Sequence, residues 1–411
     1  MVQNQGVKGE IDMKKLSNIA SNVVASSTLA VDSLAKEMRA AGKDVIGFGA
    51  GEPDFDTPEH IKQIGIHAIE TGRTKYTPAA GMMELRRAIA DRLQADMGVH
   101  YEPTQIVVAS GAKHNVYLTL RALINSGDEV IIPAPYWVTY LEAVKMAGGT
   151  PVVVSAGEEQ DFKITPQQLQ AAVTDNTKLF LLNNPSNPTG MVYSEAELRE
   201  LCDVCVEHDL YIMADEIYYH LVYDGIFTSV AALGERVKER TILVNGVSKS
   251  YAMTGWRIGY TASSPEIAKV MTNYVSHSTS SPATMSQIAA IEALSGPQGS
   301  VFEMKEAFEE RRDYMCKRIN AMDGVSCLVP QGAFYVMMNL TGLLGKTLGG
   351  REITDGDSFA MVFLDTAQVA VVPCSGFGTP NFVRLSYASS IENIKAGMDR
   401  LETFLKGATT L

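Results

Sequence analysis

Thr241-Ile242-Leu243-Val244-Asn245-Gly246-Val247-Ser248-Lys249-Ser250-Tyr251-Ala252-Met253-Thr254-Gly255-Trp256-Arg257-Ile258-Gly259-Tyr260-Thr261 carries the reading of the fold in one line. It opens on a short apolar run, Thr241–Val244, and closes on another, Ile258–Thr261. Runs of this length, rich in β-branched residues and bounded by polar and Gly-containing text, read as buried strands. The loop between them holds one lysine and, eight residues on, one arginine, both in apolar and aromatic company. Such a lysine is not a solvated surface charge. Burial and a neighbouring cation both lower the pKa of an amine, which makes it nucleophilic near neutral pH.

The same pattern repeats outward from this stretch. Ile106–Ala109, Glu129–Ile132, Pro151–Val154, Leu179–Leu182 and Tyr211–Ala214 are further apolar runs, separated by helical stretches from about residue 59 onward. Seven strands with helical crossovers predict an α/β fold with one large, mainly parallel sheet. Near-continuous Val, Ile and Leu in the runs fits strands covered on both faces. Beyond Leu294 the text changes. Ser295-Gly296-Pro297-Gln298-Gly299 breaks the pattern, and a long charged helix over Val301–Met322 follows. Next come a hairpin-like stretch around Val325–Met338, a Gly-rich loop at Gly342–Gly350, a helix near Ser358–Asp365, strands at Val369–Val372 and Phe382–Tyr387, and a closing helix at Ile391–Phe404. Upstream, Thr28–Ala41 reads as a helix and Val45–Phe48 as a short strand running into Gly49-Ala50-Gly51-Glu52-Pro53. The expected division is a polar, mobile extension (1–12), an N-terminal arm with part of a small domain (13–58), a large domain (59–296) and a smaller α+β domain (297–411).

Composition bounds the function. The chain has 411 residues, 46% of them hydrophobic and 20% charged, with a formal net charge of −12. That is a globular composition, and the length supports a sizeable core without disulfides. The acidic balance argues against nucleic-acid or polybasic membrane-surface binding. Five cysteines, an odd and sparse set, fit a reduced cytoplasmic chain. The stretch Leu16–Ala30 carries too many Ser and Asn residues for a signal peptide, and no run reaches the ~18 apolar residues of a membrane span.

Several motifs fail on inspection. Gly345-Lys346-Thr347 ends like a phosphate-binding P-loop, but Leu340 stands where that motif needs its first glycine. Gly49-Ala50-Gly51 begins like a dinucleotide fingerprint whose third glycine is Asp54. Cys202 and Cys205 share one helix face with no second Cys/His pair, so packed thiols are the expectation and no metal is called.

Four segments fall just after the carboxyl ends of strands, where open α/β sheets bind ligands. Ser110-Gly111-Ala112-Lys113 leads into a helix, whose N-terminus offers N–H groups to a phosphate. Asn183-Asn184-Pro185-Ser186-Asn187-Pro188-Thr189-Gly190 is a stiff loop that can fix an amide side chain. Asp215-Glu216-Ile217-Tyr218 puts a carboxylate at the end of a buried strand, costly unless a cation pairs with it. Each alone has a bland explanation: a plain turn, a helix-capping Asp, an ordinary helix start. With Lys249 and Arg257 they supply a Schiff-base lysine, an acid for a ring nitrogen and a phosphate cup, which are the demands of pyridoxal 5′-phosphate.

The order Asn187, Asp215, Lys249, Arg257, Arg384, with the phrases AGEPDFDTP, PYWVTY, NNPSNPTG, DEIY, SKSYAMTGWRIGY and VRLSYA, resembles the fold-type I, class I aminotransferases. The resemblance runs from about Met13 to the C-terminus and is nearest to the bacterial aspartate aminotransferase (beta) subgroup. It implies that Lys249 binds the cofactor and shuttles the substrate's α-proton, and that Asp215 holds the ring-nitrogen proton. Asn187 and Tyr218 would bond the ring oxygen, and Trp137 would stack on the ring. Gly111, Ala112, Ser248 and Arg257 would hold the phosphate, with Tyr76 reaching it from the other subunit of a homodimer. Arg384 would clamp the substrate α-carboxylate, since its planar fork suits bidentate binding. Gly51 would touch substrate through its backbone, beside Trp137 and Asn187. Lys113 would pair with the distal carboxylate of a dicarboxylic substrate, against the alternative of an exposed helix-start lysine. The implied reaction transfers the amino group of L-aspartate to 2-oxoglutarate with ping-pong kinetics. Members that also accept prephenate tend to carry a Lys two residues before the Ser of a Pro-Ser-x-Thr stretch, and Val24-Ala25-Ser26-Ser27-Thr28 has neither that Lys nor the Pro. The alternatives are an aminotransferase for aromatic amino acids, alanine or prephenate, a cofactor-dependent carbon–sulfur lyase, and a cofactor-binding regulator, which the charge and the absence of a DNA-binding segment disfavour.

Overall fold

The structure, a computed structural model, describes residues 14–24 and 27–410. The expected extension at 1–12 lies outside the described residues. Seven strands form the main sheet: β1 (Ile106–Ala109), β2 (Glu129–Ala134), β3 (Thr150–Ser155), β4 (Thr177–Asn183), β5 (Tyr211–Asp215), β6 (Thr241–Gly246) and β7 (Gly259–Ala262). Their order is β1-β7-β6-β5-β4-β2-β3. All neighbours pair in parallel except at β7, which runs against both β1 and β6.

The apolar runs are continuous because both faces of the sheet are covered. In β1, Val107 and Ala109 pack with Val116 and Leu120 on one face, while Ile106 and Val108 pack with Leu85, Ile89 and Ala289 on the other. In β4, Leu179 and Leu181 take the first face, and Phe180 and Leu182 meet Leu198 and Leu201. Each such side chain contributes roughly 1.5–3 kcal/mol when fully buried. Cys202 and Cys205 belong to this packing, and burial pushes the Cys202 thiol up to about 12.

The remaining strands form a second region. β8 (Tyr335–Asn339) and β10 (Phe382–Ser386) pair antiparallel, with β9 (Val372–Pro373) on the far side of β10. Ile46–Gly47 pairs in parallel with Val369–Ala370, so the segment before the main sheet packs with the end of the chain. The helices Gly299–Ile319, Gly356–Ala367 and Ile391–Leu405 complete this region.

Three expectations are corrected here. Val325–Met338 is not a hairpin: only its end is a strand, and that strand pairs with β10 some fifty residues on rather than with its own upstream text. Pro330, Gln331 and Gly332 interrupt the upstream half, leaving a single bridge from Ser326 to Asn339. The Gly-rich loop, in turn, is partly a hairpin. Lys346–Leu348 pairs with Arg351–Glu352 around Gly349 and Gly350, both at positive φ (55° and 79°), the geometry of a two-residue turn that only glycine adopts without strain. Val369–Val372 also divides, its two halves joining different sheets. Among the described residues no helix is long and apolar enough to cross a membrane.

Candidate active site

The register of the sheet sets the floor of the site. Asn183 and Asp215 are neighbours across β4 and β5, at the carboxyl ends of parallel strands. The Asn183 amide donates to the Asp215 carbonyl at 2.9 Å, and its oxygen accepts the Asn187 N–H at 2.7 Å, tying the Pro-rich loop to the strand end. Asp215 is 3% exposed. Its Oδ2 accepts the Tyr140 hydroxyl at 2.7 Å and its Oδ1 accepts the Ile217 N–H at 3.3 Å. Burial raises its pKa to about 6, opposed by those two hydrogen bonds and by the charge of Lys249.

The phosphate-sized corner is built from backbone. Gly111, at φ 87°, turns the chain into the helix Ala112–Leu123. A Cβ there would fall 2.4 Å from Arg257 Nη2, so the guanidinium lies directly against bare backbone. Arg257 donates to the Thr254 carbonyl at 2.8 Å and the Ser110 carbonyl at 3.1 Å, and Ser248 is buried beside it. Gly259 makes the close approach possible, since a Cβ on it would come within 2.2 Å of the Ala112 nitrogen. Free N–H groups, a helix N-terminus and an arginine converge, as an anion requires.

Lys249 stands between this corner and Asp215. Its amine donates to the Gly51 carbonyl and sits 5.7 Å from the Phe334 ring centroid. Burial lowers its pKa to about 8; Glu52 opposes this, Arg384 and Arg257 reinforce it, and Asp215 opposes it more weakly. Arg384, in β10, is 3% exposed. It donates to Asn187 Oδ1 at 2.9 Å and to the Gly49 carbonyl at 3.1 Å, while its Nε has no partner among the described residues. Tyr335 and Phe377 flank the guanidinium at 4.3 and 5.2 Å. Lys113 lies over the Trp137 ring at 4.9 Å, and burial with the nearby Arg257 lowers its pKa.

A cavity of about 620 Å³ joins these groups. Gly51, Ala112, Lys113, Trp137, Asn187, Asp215, Tyr218, Ser248, Lys249, Arg257 and Arg384 all line it, and Gly111 sits immediately behind Ala112. Tyr76 does not: in the single chain it is 98% exposed. Sequence reasoning missed Tyr140, Tyr335, Asn183, Thr254 and Glu52. Tyr140 follows Trp137 by three residues, across the turn that opens the helix Thr139–Ala147, and that spacing was a usable signal. Tyr335 had none, because its hydrogen bond to Tyr218 at 3.1 Å depends on how two distant segments pack.

A lysine, a buried acid and an anion cup at the carboxyl edge of this sheet define a pyridoxal-phosphate enzyme of fold type I. The residues fit that group physically: Ala112, at the helix N-terminus, Ser248 and Arg257 line the cavity where a phosphate would sit, and Asp215 is a buried carboxylate with no cation bonded to it among the described residues. The model of the family "Aminotransferase class I and II" matches residues 43–401, and the chain belongs to that family of pyridoxal-phosphate-dependent enzymes. The chain is 47% identical to the aspartate aminotransferase of Bacillus subtilis (strain 168), covering 95% of this chain and 99% of that protein. It is 49% identical to the aspartate/prephenate aminotransferase of Cereibacter sphaeroides (strain ATCC 17029 / ATH 2.4.9), over 96% of this chain and 100% of the relative. The crystal structure of the Rhizobium meliloti aspartate aminotransferase superposes with a TM-score of 0.93 at 42% identity, covering 97% of this chain and 100% of that one. The Thermus thermophilus aspartate aminotransferase with maleate gives 0.90 at 40% identity, covering 96% and 100%.

Proposed function

We propose that this aminotransferase moves the amino group of L-aspartate to 2-oxoglutarate. Six cationic side chains line the cavity, Lys36, Arg39, Lys113, Lys249, Arg257 and Arg384, and the two that support a dicarboxylic substrate are Arg384, whose hydrogen-bond partners are neutral, and Lys113 over Trp137. Two fixed cations match two carboxylates, and Arg384 offers the bidentate one. Aspartate is the donor common to the names of the Bacillus and Cereibacter relatives, and the Thermus relative was solved with a dicarboxylate, maleate.

When bound, pyridoxal phosphate supplies an electron sink for the carbanion left at the substrate's Cα. Around it, Lys249 takes the α-proton and returns it, and a pKa of about 8 leaves a substantial neutral fraction for that work near neutrality. Asp215 holds a proton on the ring nitrogen. Asn187 and Tyr218 orient the ring oxygen, Trp137 covers one face, and Gly111, Ala112, Ser248 and Arg257 hold the phosphate. Arg384 and the Gly51 backbone fix the α-carboxylate end of the substrate. We further propose a homodimer in which Tyr76, 98% exposed here, completes the phosphate site of the partner, a cytoplasmic location, and a division into a large domain over 59–296 and a small one over 297–411 with 13–58.

Incubation with aspartate and 2-oxoglutarate, with oxaloacetate followed through malate dehydrogenase and NADH, tests the reaction directly. Rapid NADH oxidation is the expected outcome, and none from a cofactor-loaded enzyme overturns the aspartate reading. Lys113→Ala should lower kcat/KM for aspartate about 30-fold, the equivalent of about 2 kcal/mol, and that for alanine much less. Equal losses would reassign Lys113 to the exposed surface. Prephenate is the second reading, favoured by the name of the Cereibacter relative and disfavoured by Val24–Thr28, of which residues 25 and 26 lie outside the described residues. Aspartate-dependent loss of prephenate would establish it.

A further inference from the structure

Asp215 is held by a donor that the functional reading does not use. Tyr140, 1% exposed, donates its hydroxyl to Asp215 Oδ2 at 2.7 Å. Among the described residues the one other hydrogen bond to that carboxylate is the long one from the Ile217 N–H to Oδ1 at 3.3 Å. Tyr140 is also bound to Trp137 twice over. Its backbone N–H donates to the Trp137 carbonyl at 2.9 Å, and the two rings meet edge-on at 5.3 Å and 87°. The turn that leads into the helix Thr139–Ala147 thus carries both the aromatic wall of the cavity and the hydroxyl that grips the buried acid.

We propose that Tyr140 is a positioning residue that sets the basicity and orientation of Asp215, and through it how firmly the ring nitrogen of bound pyridoxal phosphate keeps its proton. This rests on Asp215 being the ring-nitrogen partner. A carboxylate that accepts a phenolic hydrogen bond is a weaker base than one that does not. With Tyr140 on Oδ2, the ring-nitrogen proton stays on the ring and the ring stays electron-poor. Without it, Asp215 draws that proton toward itself, the ring withdraws fewer electrons, and basic groups conjugated to the ring hold their own protons to higher pH. Burial, followed by the Asp215 charge, keeps the Tyr140 phenol protonated well above the usual range, so it is a donor at every working pH.

The test is a pH titration of the visible absorbance of the bound cofactor in the holoenzyme. Tyr140→Phe, which keeps the ring packed on Trp137, should raise the midpoint by about 0.5–1 unit. Site-specific 3-fluorotyrosine in place of Tyr140, a stronger donor of nearly the same shape, should lower it, and this second variant serves if the Phe variant does not fold. A midpoint unmoved by about 0.2 units in either variant, at full cofactor occupancy, overturns the proposal. Asp215→Asn separates the two levels. If it leaves the midpoint in place, the ring-nitrogen reading of Asp215 fails; if it moves the midpoint and the Tyr140 variants do not, only the role of Tyr140 fails.

Discussion

Two buried arginines in this chain differ in what surrounds them. Arg312, on the helix Gly299–Ile319, is 4% exposed and fully paired: its Nε and Nη2 meet Asp313 at 2.8 Å, its Nη1 meets Asp224 and the Pro330 carbonyl, and Glu309 stands 3.7 Å away. Arg384 is as deeply buried, yet its partners are an amide and a carbonyl, and its Nε has none. No carboxylate lies within ion-pair distance of it among the described residues. Burying a charge costs several kcal/mol unless it is compensated. The fold compensates Arg312 with its own acids and gives Arg384 none among the described residues, which suits the carboxylate clamp proposed for it.

The acids differ in another way. Glu216 and Asp215 are adjacent and both buried. Each accepts one hydroxyl and one backbone N–H: Glu216 takes them from Ser229 at 2.8 Å and Val230 at 2.9 Å, Asp215 from Tyr140 at 2.7 Å and Ile217 at 3.3 Å. Only Asp215 of the two lines the cavity. Access to the cavity, more than burial or pairing, separates the two acids.

That comparison can be broken at each of its members. The largest effect is expected at Arg384→Ala, which should cut kcat/KM by about a thousandfold while leaving the Tm of the cofactor-free protein nearly unchanged, because an uncompensated charge is removed. A large loss of Tm with intact kcat/KM would make Arg384 structural. Next, Arg312→Ala should cost about 2–4 kcal/mol in urea unfolding, through the lost ion pairs and the packing on Tyr223, with kinetic constants of the folded fraction preserved. Kinetic loss without destabilisation would erase the distinction between the two arginines.

A third effect, no larger than that at Arg312, sharpens the comparison between the acids. Burial raises the Glu216 pKa from 4.5 to about 8, against the Val230 and Ser229 hydrogen bonds. A folded-state pKa above the unfolded one gives stability that is present in full below about pH 4.5 and lost as pH rises through about 8. Glu216→Gln lacks that loss, so its stability relative to the natural chain should grow on the order of 3 kcal/mol between about pH 5 and 8. Equal pH slopes for the two proteins, measured by urea unfolding of the cofactor-free form, would show Glu216 ionised throughout at no cost.

Much of this was legible in the text of the chain. Local apolar runs such as Ile106–Ala109 and Tyr211–Asp215 define their own strands, because a strand buried on both faces needs little beyond its own side chains to be recognised. The charged residues after those runs could be picked out because charge at a buried strand end demands a partner. Pairing between distant segments was not legible. β8 was expected to fold back on its own upstream text, but it took β10, since hydrogen bonding in a ladder is decided by which edge is free. Tyr140, Tyr335 and Asn183 escaped for the same reason, as an ordinary aromatic or amide becomes functional only by what it touches.

The sequence by itself determined the fold class, the order of the main strands along the chain and which charged residues could serve a pyridoxal cofactor. These follow from local hydrophobic periodicity and from the cost of burying charge, both readable residue by residue. Tertiary structure alone decided which charges are left uncompensated. It brings Arg384 in beside Asn187, across 197 residues, and sets Tyr140 against Asp215 across 75, and a charge is free or satisfied only through neighbours that the chain supplies from elsewhere.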